Sequence, residues 1–340
     1  MKEIVLVTEP EFRKAEAAFR EVADWQLEPA PPQEQALAAA VRTRSARAVI
    51  VGIEKYQGPL YEALADTGGK RGALVARFGV GHDGIDKPLA RQHNIVVTNT
   101  PGALDISVAE HALWLIGNLV RHVSALEAQF RAGEFAPRPG TEIQGKTLGI
   151  VGFGHIGRRV AKTAHFGFGM DVLALGSRSP AELEDDEKRP LKELLAEHGA
   201  RVYTDNLADV LQQSDIVSLH LPSNSQTRHL VNAERLKLFK PSALLVNTAR
   251  GAVVDEAALY DALSAGRLAG AALDVFEAEP YRPAAPDKDL RTLASVVLTP
   301  HVGSNTAEAN WRMAQACLEN LARFFAGSWD QLARVDLPKA

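Results

Sequence analysis

The chain has 340 residues, enough for about two domains that each enclose a core of their own. Its 46% hydrophobic and 24% charged residues are typical of a globular protein. A formal net charge of −4 gives no electrostatic basis for binding nucleic acid or an anionic membrane, so we expect neither as a partner.

The cysteine content and the hydropathy exclude further classes of protein. Cys317 is the only cysteine, so neither an intrachain disulfide nor a cysteine-based metal site can form, and we predict no metal site. No stretch approaches the roughly 18 apolar residues of a membrane span, and the apolar run near the N-terminus is too short for a signal peptide. We therefore expect a cytoplasmic protein, in keeping with a reducing compartment.

Short apolar runs alternate with amphipathic segments in the N-terminal part of the chain. The predicted strands are Ile4–Val7, Ala48–Val51, Ala73–Phe78 and Ile95–Thr98. The predicted helices are Pro10–Ala23, Glu34–Arg44 and Leu60–Ala65. This alternation predicts a parallel sheet covered by helices.

A long helix follows this region. Ser107 is its predicted N-cap, and Glu110 completes a capping box. The helix is expected to run to about His122, and a second helical segment to Arg131. Residues 133–145, rich in Gly and Pro, then lead to the middle of the chain.

The second half repeats the alternation of strands and helices. The predicted strands are Val172–Leu175, Ile216–Leu221, Ala243–Val246, Gly270–Leu273 and Val296–Leu298. The charge-dense segment 181–201 is interpreted as a solvated loop or helix. A final amphipathic helix, Asn305–Ala326, is expected to pack on the N-terminal part.

A glycine motif stands between the two sets of strands. Apolar residues 147–151 lead into Gly152-x-Gly154-x-x-Gly157, and a helical pattern follows. This context favours a dinucleotide site over a purely structural glycine turn. Gly152 would permit the tight turn, Gly154 would let the pyrophosphate approach, and Gly157 would let helix and strand pack closely. The predicted cofactor-binding residues here are Gly152, Gly154, His155, Ile156 and Gly157.

Three polar side chains follow successive strands of the second half. Ligands of open α/β sheets lie beyond the carboxyl ends of the strands, which is where Arg250, Glu279 and His301 stand. Each has an ordinary alternative, since Arg250 could cap a helix, Glu279 could be solvated and His301 could belong to a turn. Together, downstream of a dinucleotide motif, they predict a hydride-transfer site.

The chemistry of 2-keto acid reduction assigns a role to each of the three. The fork of donors on Arg250 can bridge the carboxylate and the ketone oxygen of the substrate. Imidazole is the suitable donor near neutral pH for the proton that the new alkoxide needs, so His301 is the predicted proton donor. A carboxylate favours the imidazolium form, so Glu279 would stabilise and orient His301. In oxidation His301 would act as the base.

The chain resembles the D-isomer-specific 2-hydroxyacid dehydrogenases over nearly its whole length. The motifs that carry the resemblance are Asn247-Thr-Ala-Arg250-Gly-x-x-Val-Asp255, Asp274-Val-Phe-x-x-Glu279-Pro, Thr299-Pro-His301-x-Gly, Gly79-Val-Gly-His-Asp-Gly-Ile-Asp86, Asn99-Thr-Pro-Gly and Val108-Ala-Glu110. In the family the arginine, glutamate and histidine occur in this order. Several independent motifs in the right order make the resemblance specific.

The resemblance implies an α/β fold with two doubly wound parallel sheets. A flavodoxin-like substrate-binding domain, residues 1–104 and 304–340, would carry an inserted Rossmann domain, residues 105–303, with the active-site cleft between them. Backbone groups of Val80 and Gly81 would bind the substrate carboxylate. Further cofactor contacts are implied near Val108, Ile156, Pro222, Ala249, Asp274 and Gly303, with Asp274 facing the nicotinamide amide. Homodimerisation through the region around 110–145 is also implied.

One departure from the family bears on the cofactor. Members that prefer NAD carry an acid at the end of the second strand of the nucleotide domain, whereas here that strand ends Leu175-Gly176-Ser177-Arg178-Ser179. Asp171 lies at the wrong end of the strand to serve. Ser177, Arg178 and Ser179 offer donors that suit a 2′-phosphate, so we predict NADP(H), with NAD(H) possible. The alternative is that Arg178 points to solvent.

Other features allow more than one interpretation. The segment 180–202 is longer than expected for the family, and a surface elaboration is favoured over a cover for the adenosine. His82 is assigned to its turn, and His111 and Trp114 to helix packing. Trp311 either closes the site or packs in the core.

The leading hypothesis is an NADP-dependent reductase of a small 2-keto acid such as glyoxylate or hydroxypyruvate. One alternative is oxidation of a hydroxy acid such as a phosphoglycerate. A second is an NAD(P)-sensing binding protein like the C-terminal binding protein corepressors, which share the fold and the three side chains. No disordered interaction tail is visible to favour this second alternative.

Overall fold

The computed structural model describes residues 2–337. These residues divide into two compact units. The first unit combines the residues up to Leu104 with those from Ser304 onward, and the second unit is Asp105–Gly303.

The first unit is built on a five-stranded parallel sheet with the strand order β2-β1-β3-β4-β5, the flavodoxin-like order. Its strands are β1 (Ile4–Thr8), β2 (Gln26–Ala30), β3 (Ala48–Val51), β4 (Ala73–Arg77) and β5 (Ile95–Thr98). Its helices before the second unit are α1 (Glu9–Lys14), α2 (Glu16–Arg20), α3 (Glu34–Arg44), α4 (Pro59–Gly68) and α5 (Lys87–Gln92). Every residue of β3, β4 and β5 is buried, as expected for a parallel sheet covered on its faces.

The second unit is built on a seven-stranded parallel sheet with the order β12-β11-β10-β9-β6-β7-β8. Its strands are β6 (Thr147–Val151), β7 (Asp171–Leu175), β8 (Ala200–Thr204), β9 (Ile216–Leu219), β10 (Leu244–Asn247), β11 (Gly270–Leu273) and β12 (Val296–Leu298). Its helices are α6 (Asp105–Arg121), α7 (Val123–Arg131), α8 (His155–Phe168), α9 (Pro180–Glu187), α10 (Leu191–His198), α11 (Leu207–Gln213), α12 (Ala233–Leu236) and α13 (Glu256–Ser264). The order reverses between β6 and β9, the switch point at which doubly wound sheets bind ligands. The last helix, α14 (Ala307–Phe325), belongs to the first unit and packs on β4.

These two parallel sheets confirm the predicted fold class. The predicted strands match the observed ones to within one or two residues at each end. The predicted helix Pro10–Ala23 is divided into α1 and α2, because the backbone leaves the helical region at Ala15, with φ −140°. No helix among residues 2–337 is long and apolar enough to cross a membrane.

One prediction about the second unit is wrong and another is confirmed in its helical form. The long helix begins at Asp105, so Ser107 lies buried inside its first turn and does not form the predicted capping box. Asp105 lies in the first turn of this helix, where the helix dipole favours a negative charge. The segment 181–201 contains helices α9 and α10, which confirms the helical alternative of its prediction, and Leu183 and Leu194 are the residues of these two helices that are buried in the hydrophobic core.

Candidate active site

Two glycines of the motif after β6 are required by the fold itself. Gly152 has φ +109°, and a Cβ there would lie 2.4 Å from the carbonyl oxygen of His220. A Cβ on Gly157 would lie 2.1 Å from the carbonyl oxygen of Gly152. The first glycine therefore permits the turn, and the third lets α8 approach the strand.

The second glycine of the motif is different. Gly154 is the N-cap of α8, and a Cβ there would meet no atom within 4 Å. Protein packing therefore does not require a glycine at this position, whereas a phosphate approaching the first N–H groups of a 14-residue helix would. His155 follows with a 91% exposed side chain, and Ile156 is half-buried. The turn thus fits the pyrophosphate of a dinucleotide.

The residues after β7 are held by helix α9. Nη1 of Arg178 lies 2.5 Å from Oδ2 of Asp186. Ser179 is the N-cap of α9, where it forms a capping box with Glu182. Two of the donors predicted for a 2′-phosphate therefore have protein partners, and the Arg178 side chain is at the same time 43% exposed.

The remaining predicted cofactor residues lie at one edge of the second sheet. Pro222, Ala249, Asp274 and Gly303 follow β9, β10, β11 and β12 respectively, and Val108 lies in the first turn of α6. Because parallel strands end at the same edge, these residues share that edge with the glycine turn after β6.

A buried amide shapes the turn that carries Arg250. The side chain of Asn247 donates to the carbonyl of Arg250 at 2.9 Å and accepts from the N–H of Ala249 at 3.0 Å. A Cβ on Gly251 would lie 1.8 Å from the carbonyl carbon of Phe276, so the turns after β10 and β11 are in backbone contact. The position of Arg250 is thus fixed on both sides.

Glu279 and His301 form a hydrogen-bonded pair. Oε2 of Glu279 lies 2.7 Å from Nδ1 of His301, and Oε1 accepts from the N–H of Phe276 at 3.1 Å. Because Nδ1 faces the carboxylate, Nε2 is the ring atom left to exchange a proton with a substrate. The structure therefore brings together the acid and the histidine that the sequence placed after neighbouring strands.

Asp274 is the most buried carboxylate near this pair, with 2% of its surface exposed. Burial opposes its ionisation, but hydrogen bonds from His111, Thr299, Val302 and Gly303 lower the pKa of Asp274 below its usual value. His111, which was assigned to helix packing, also forms a hydrogen bond, since its Nε2 lies 3.1 Å from Oγ1 of Thr299. Sequence reasoning also missed Thr299, although it stands in the motif around His301. Trp114, also assigned to packing, is 71% exposed.

A second buried carboxylate, that of Glu256, lies beside Glu277. Glu256 accepts from the N–H of Glu277 at 2.6 Å, and its own N–H donates to the Glu277 carboxylate at 3.2 Å. Burial raises the pKa of Glu256 to about 7, with a further contribution from the charges of Glu277 and Glu279.

We expect Glu256→Gln to remove a pH dependence of stability. A carboxyl whose pKa rises on folding stabilises the fold below its unfolded pKa, and this contribution is lost as the pH rises through about 7. The variant should therefore be more stable than the parent at pH 8, by up to about 3 kcal/mol, and similar at pH 4.5. Urea unfolding at both pH values measures the difference. The exposed Glu234→Gln serves as control, and a parallel pH dependence of parent and Glu256→Gln would contradict the expectation.

In the first unit, the loop after β4 presents Val80 and Gly81. Nε of Arg77 donates to the carbonyl of Gly81 at 2.7 Å, and Nδ2 of Asn99 donates to that of Val80 at 2.9 Å. Within residues 2–337 the N–H groups of Val80 and Gly81 donate to no protein acceptor. The carbonyls of Val80 and Gly81 are hydrogen-bonded and their N–H groups are available, an arrangement that suits an anion and agrees with the predicted carboxylate contact.

Trp311 of α14 is exposed and does not pack in the core.

Comparison with known proteins places this site in a family. The sequence model of the family described as D-isomer specific 2-hydroxyacid dehydrogenase, NAD binding domain, matches residues 113–303 of this chain. Glyoxylate reductase of Pyrococcus furiosus is 43% identical over 263 residues, 75% of this chain and 73% of the relative. Hydroxypyruvate reductase of Thermotoga maritima is 39% identical over 259 residues, 74% of this chain and 78% of the relative.

Solved structures agree with these relatives. The NADPH-dependent glyoxylate/hydroxypyruvate reductase of Sinorhizobium meliloti, in complex with NADP and malonate, is 28% identical with a TM-score of 0.76 and covers 96% of this chain and 94% of its own. D-lactate dehydrogenase of Aquifex aeolicus, complexed with NAD and lactic acid, is 28% identical with a TM-score of 0.79. The match covers 99% of this chain and 100% of that structure's chain. The resemblance drawn from the motifs is confirmed. The chain belongs to the D-isomer-specific 2-hydroxyacid dehydrogenases and is a nicotinamide-dependent oxidoreductase of that family.

Proposed function

We propose that the chain reduces a small 2-keto acid to the D-2-hydroxy acid, with Arg250, Glu279 and His301 as its catalytic residues. The 2.7 Å contact between Glu279 and His301, on the sheet edge that also carries the glycine turn and Arg250, is the observation that carries the proposal. The glyoxylate and hydroxypyruvate reductases among the relatives support a keto acid of this size.

Each of the three side chains performs one task. Arg250 binds the substrate carboxylate and polarises the ketone oxygen through its two-pronged guanidinium. A bound nicotinamide supplies the hydride that adds to the carbonyl carbon. His301 donates a proton from Nε2 to the ketone oxygen, which becomes the hydroxyl, and Glu279 stabilises the imidazolium that precedes this step. The reverse sequence, with His301 as base, oxidises a hydroxy acid.

NADP(H) is the proposed cofactor. No acid stands at the end of β7 to repel a 2′-phosphate, and Arg178 lies there instead. The ion pair between Arg178 and Asp186 is partly exposed, and such pairs contribute only about 0–1 kcal/mol, so a phosphate dianion can replace Asp186 as the partner of the guanidinium. The NADP-bound relative from Sinorhizobium meliloti supports the same choice.

Both proposals are tested by measuring the rates of NADPH and NADH oxidation with glyoxylate, hydroxypyruvate and pyruvate. We expect Arg178→Ala to raise the KM for NADPH by about 10–100-fold and to leave that for NADH nearly unchanged, because one charge-assisted contact is lost. Arg189→Ala, which removes a comparable ion pair with Glu197, serves as matched control. Equal efficiency of the parent with both cofactors would contradict the NADP(H) proposal.

The same assays separate the alternatives. Tight cofactor binding without turnover of any keto acid would favour an NAD(P)-sensing binding protein. Faster oxidation of a hydroxy acid such as a phosphoglycerate than reduction of any keto acid would favour the opposite physiological direction.

We also propose a homodimer formed through residues 110–145. Trp114, Phe130 and Phe135 are large apolar side chains that stand exposed in this region, Phe135 at 87%. The rings of Phe130 and Phe135 lie 6.4 Å apart, and an exposed apolar patch is typical of a surface covered by another chain. Light scattering should give twice the chain mass of 36.7 kDa, and a monomer mass would contradict the proposal.

A further inference from the structure

We propose that His111 of α6 is a positioning residue for His301, acting through Thr299 and Asp274. The inference rests on the proposed function, in which His301 is the proton donor. It extends the functional network to a helix that carries none of the side chains assigned above to catalysis. Three observations support it.

The hydrogen bonds fix the direction of donation along the network. Thr299 donates its only hydroxyl proton to Oδ1 of Asp274 at 2.6 Å. Nε2 of His111, 3.1 Å from the same hydroxyl oxygen and 3.3 Å from Oδ1 of Asp274, must therefore carry a proton and donate. His111 thus supplies a donor to both groups that lie between α6 and the turn of His301.

Asp274 in turn holds the backbone next to His301. Its Oδ1 accepts from the N–H of Val302 at 2.9 Å and its Oδ2 from that of Gly303 at 2.8 Å. His301 itself has φ +52°, a conformation that residues other than glycine rarely adopt and that the surroundings must maintain. The carboxylate is the side-chain group that maintains it on the C-terminal side.

The turn is seated directly against this network. A Cβ on Gly303 would lie 3.0 Å from Oδ2 of Asp274 and 3.4 Å from Cδ2 of His111. Loss of the His111 donor therefore removes a support of Asp274 that the turn contacts, and the ring of His301 can then move away from Glu279.

Three substitutions at one position separate positioning from packing. His111→Ala removes the donor, His111→Gln keeps an amide N–H near the place of Nε2, and His111→Asn offers one only near the place of Nδ1. We expect kcat for the keto acid to fall about tenfold in the Ala and Asn variants, as is typical when an outer partner of a functional side chain is lost, and to recover in the Gln variant. The KM for the keto acid should change much less than kcat.

A second measurement does not depend on turnover. NMR of the histidine rings, with His301 identified by its absence in His301→Ala, should show that the ring signals of His301 change in His111→Ala and match the parent in His111→Gln. The reason is that a ring displaced from Glu279 loses its hydrogen bond at Nδ1.

The outcomes distinguish this inference from the proposed function. Unchanged ring signals of His301 in folded His111→Ala would overturn the inference, even if that variant is less stable to heat. A full loss of kcat in all three variants, with no rescue by Gln, would also overturn it. Retained activity in His301→Ala would instead overturn the proposed function, while the NMR signals of the His301 ring would still decide the role of His111.

Discussion

Replacement of His301 by Ala should lower kcat for keto acid reduction by about 10²–10⁴-fold, the usual contribution of a positioned general acid. Nδ1 of His301 is held by the Glu279 carboxylate at 2.7 Å, which leaves Nε2 to donate the proton. Steady-state kinetics with saturating NADPH measure the loss. The dissociation constant of NADPH, from protein fluorescence, should stay nearly unchanged.

The chain offers a matched control for this variant. His229 also has a positive φ, +48°, and its Nε2 lies 2.8 Å from Oε2 of Glu277, yet it belongs to none of the predicted catalytic, cofactor or substrate residues. His229→Ala should retain kcat. Equal activity of His301→Ala and the parent would show that another group donates the proton.

Replacement of Arg250 by Ala should reduce kcat/KM for the keto acid by about 10²–10⁴-fold. Two charge-assisted hydrogen bonds of about 1.5–3 kcal/mol each are removed, and each 1.36 kcal/mol corresponds to a factor of ten. Arg250→Lys should recover little of this, because an ammonium group cannot bridge the carboxylate and the ketone oxygen in one plane. The kinetics of both variants across a concentration series of glyoxylate test this.

Arg228→Ala is a suitable control, since this arginine forms an exposed pair with Glu277 at 3.6 Å and has no assigned role. Its kinetics should match those of the parent. Arg250→Lys with the kinetics of the parent would mean that charge alone is required at this position, which would contradict the bridging role.

The fold could be predicted from sequence wherever local pattern and tertiary environment agree. Central strands such as β3 and β10 are continuous apolar runs, so their positions followed from hydropathy alone. The edge strands β2 and β8 were missed because exposed, charged residues interrupt their patterns, and β2 contains Pro29, which an edge strand tolerates. Their strand character comes from the neighbouring strand.

Helix capping shows the limit of a local rule. The pattern of Ser or Thr followed three residues later by Glu occurs at Ser107 and at Ser179. Only Ser179 forms the capping box, because Ser107 is already buried inside a helix that begins at Asp105. The sequence contains both patterns, and the packing around them decides between the two.

In the candidate site, too, some residues could be predicted from local sequence patterns and others depend on tertiary contacts. Arg250, Glu279 and His301 could be placed together because they follow three strands that prove to be neighbours, and parallel strands end at one edge. The contribution of His111 could not be predicted, since 188 residues separate it from the hydroxyl of Thr299. The pairing of Arg178 with Asp186 likewise depends on the fold of α9.

The strand order has a consequence for how the protein can change. Arg178 and helix α9 lie beside β7 and β8, at one margin of the seven-stranded sheet, whereas Glu279 and His301 follow β11 and β12 at the other. The residues proposed to select the cofactor therefore lie apart from the pair proposed to exchange the proton. We expect substitutions, in evolution or in engineering, to change nucleotide preference without disturbing that pair.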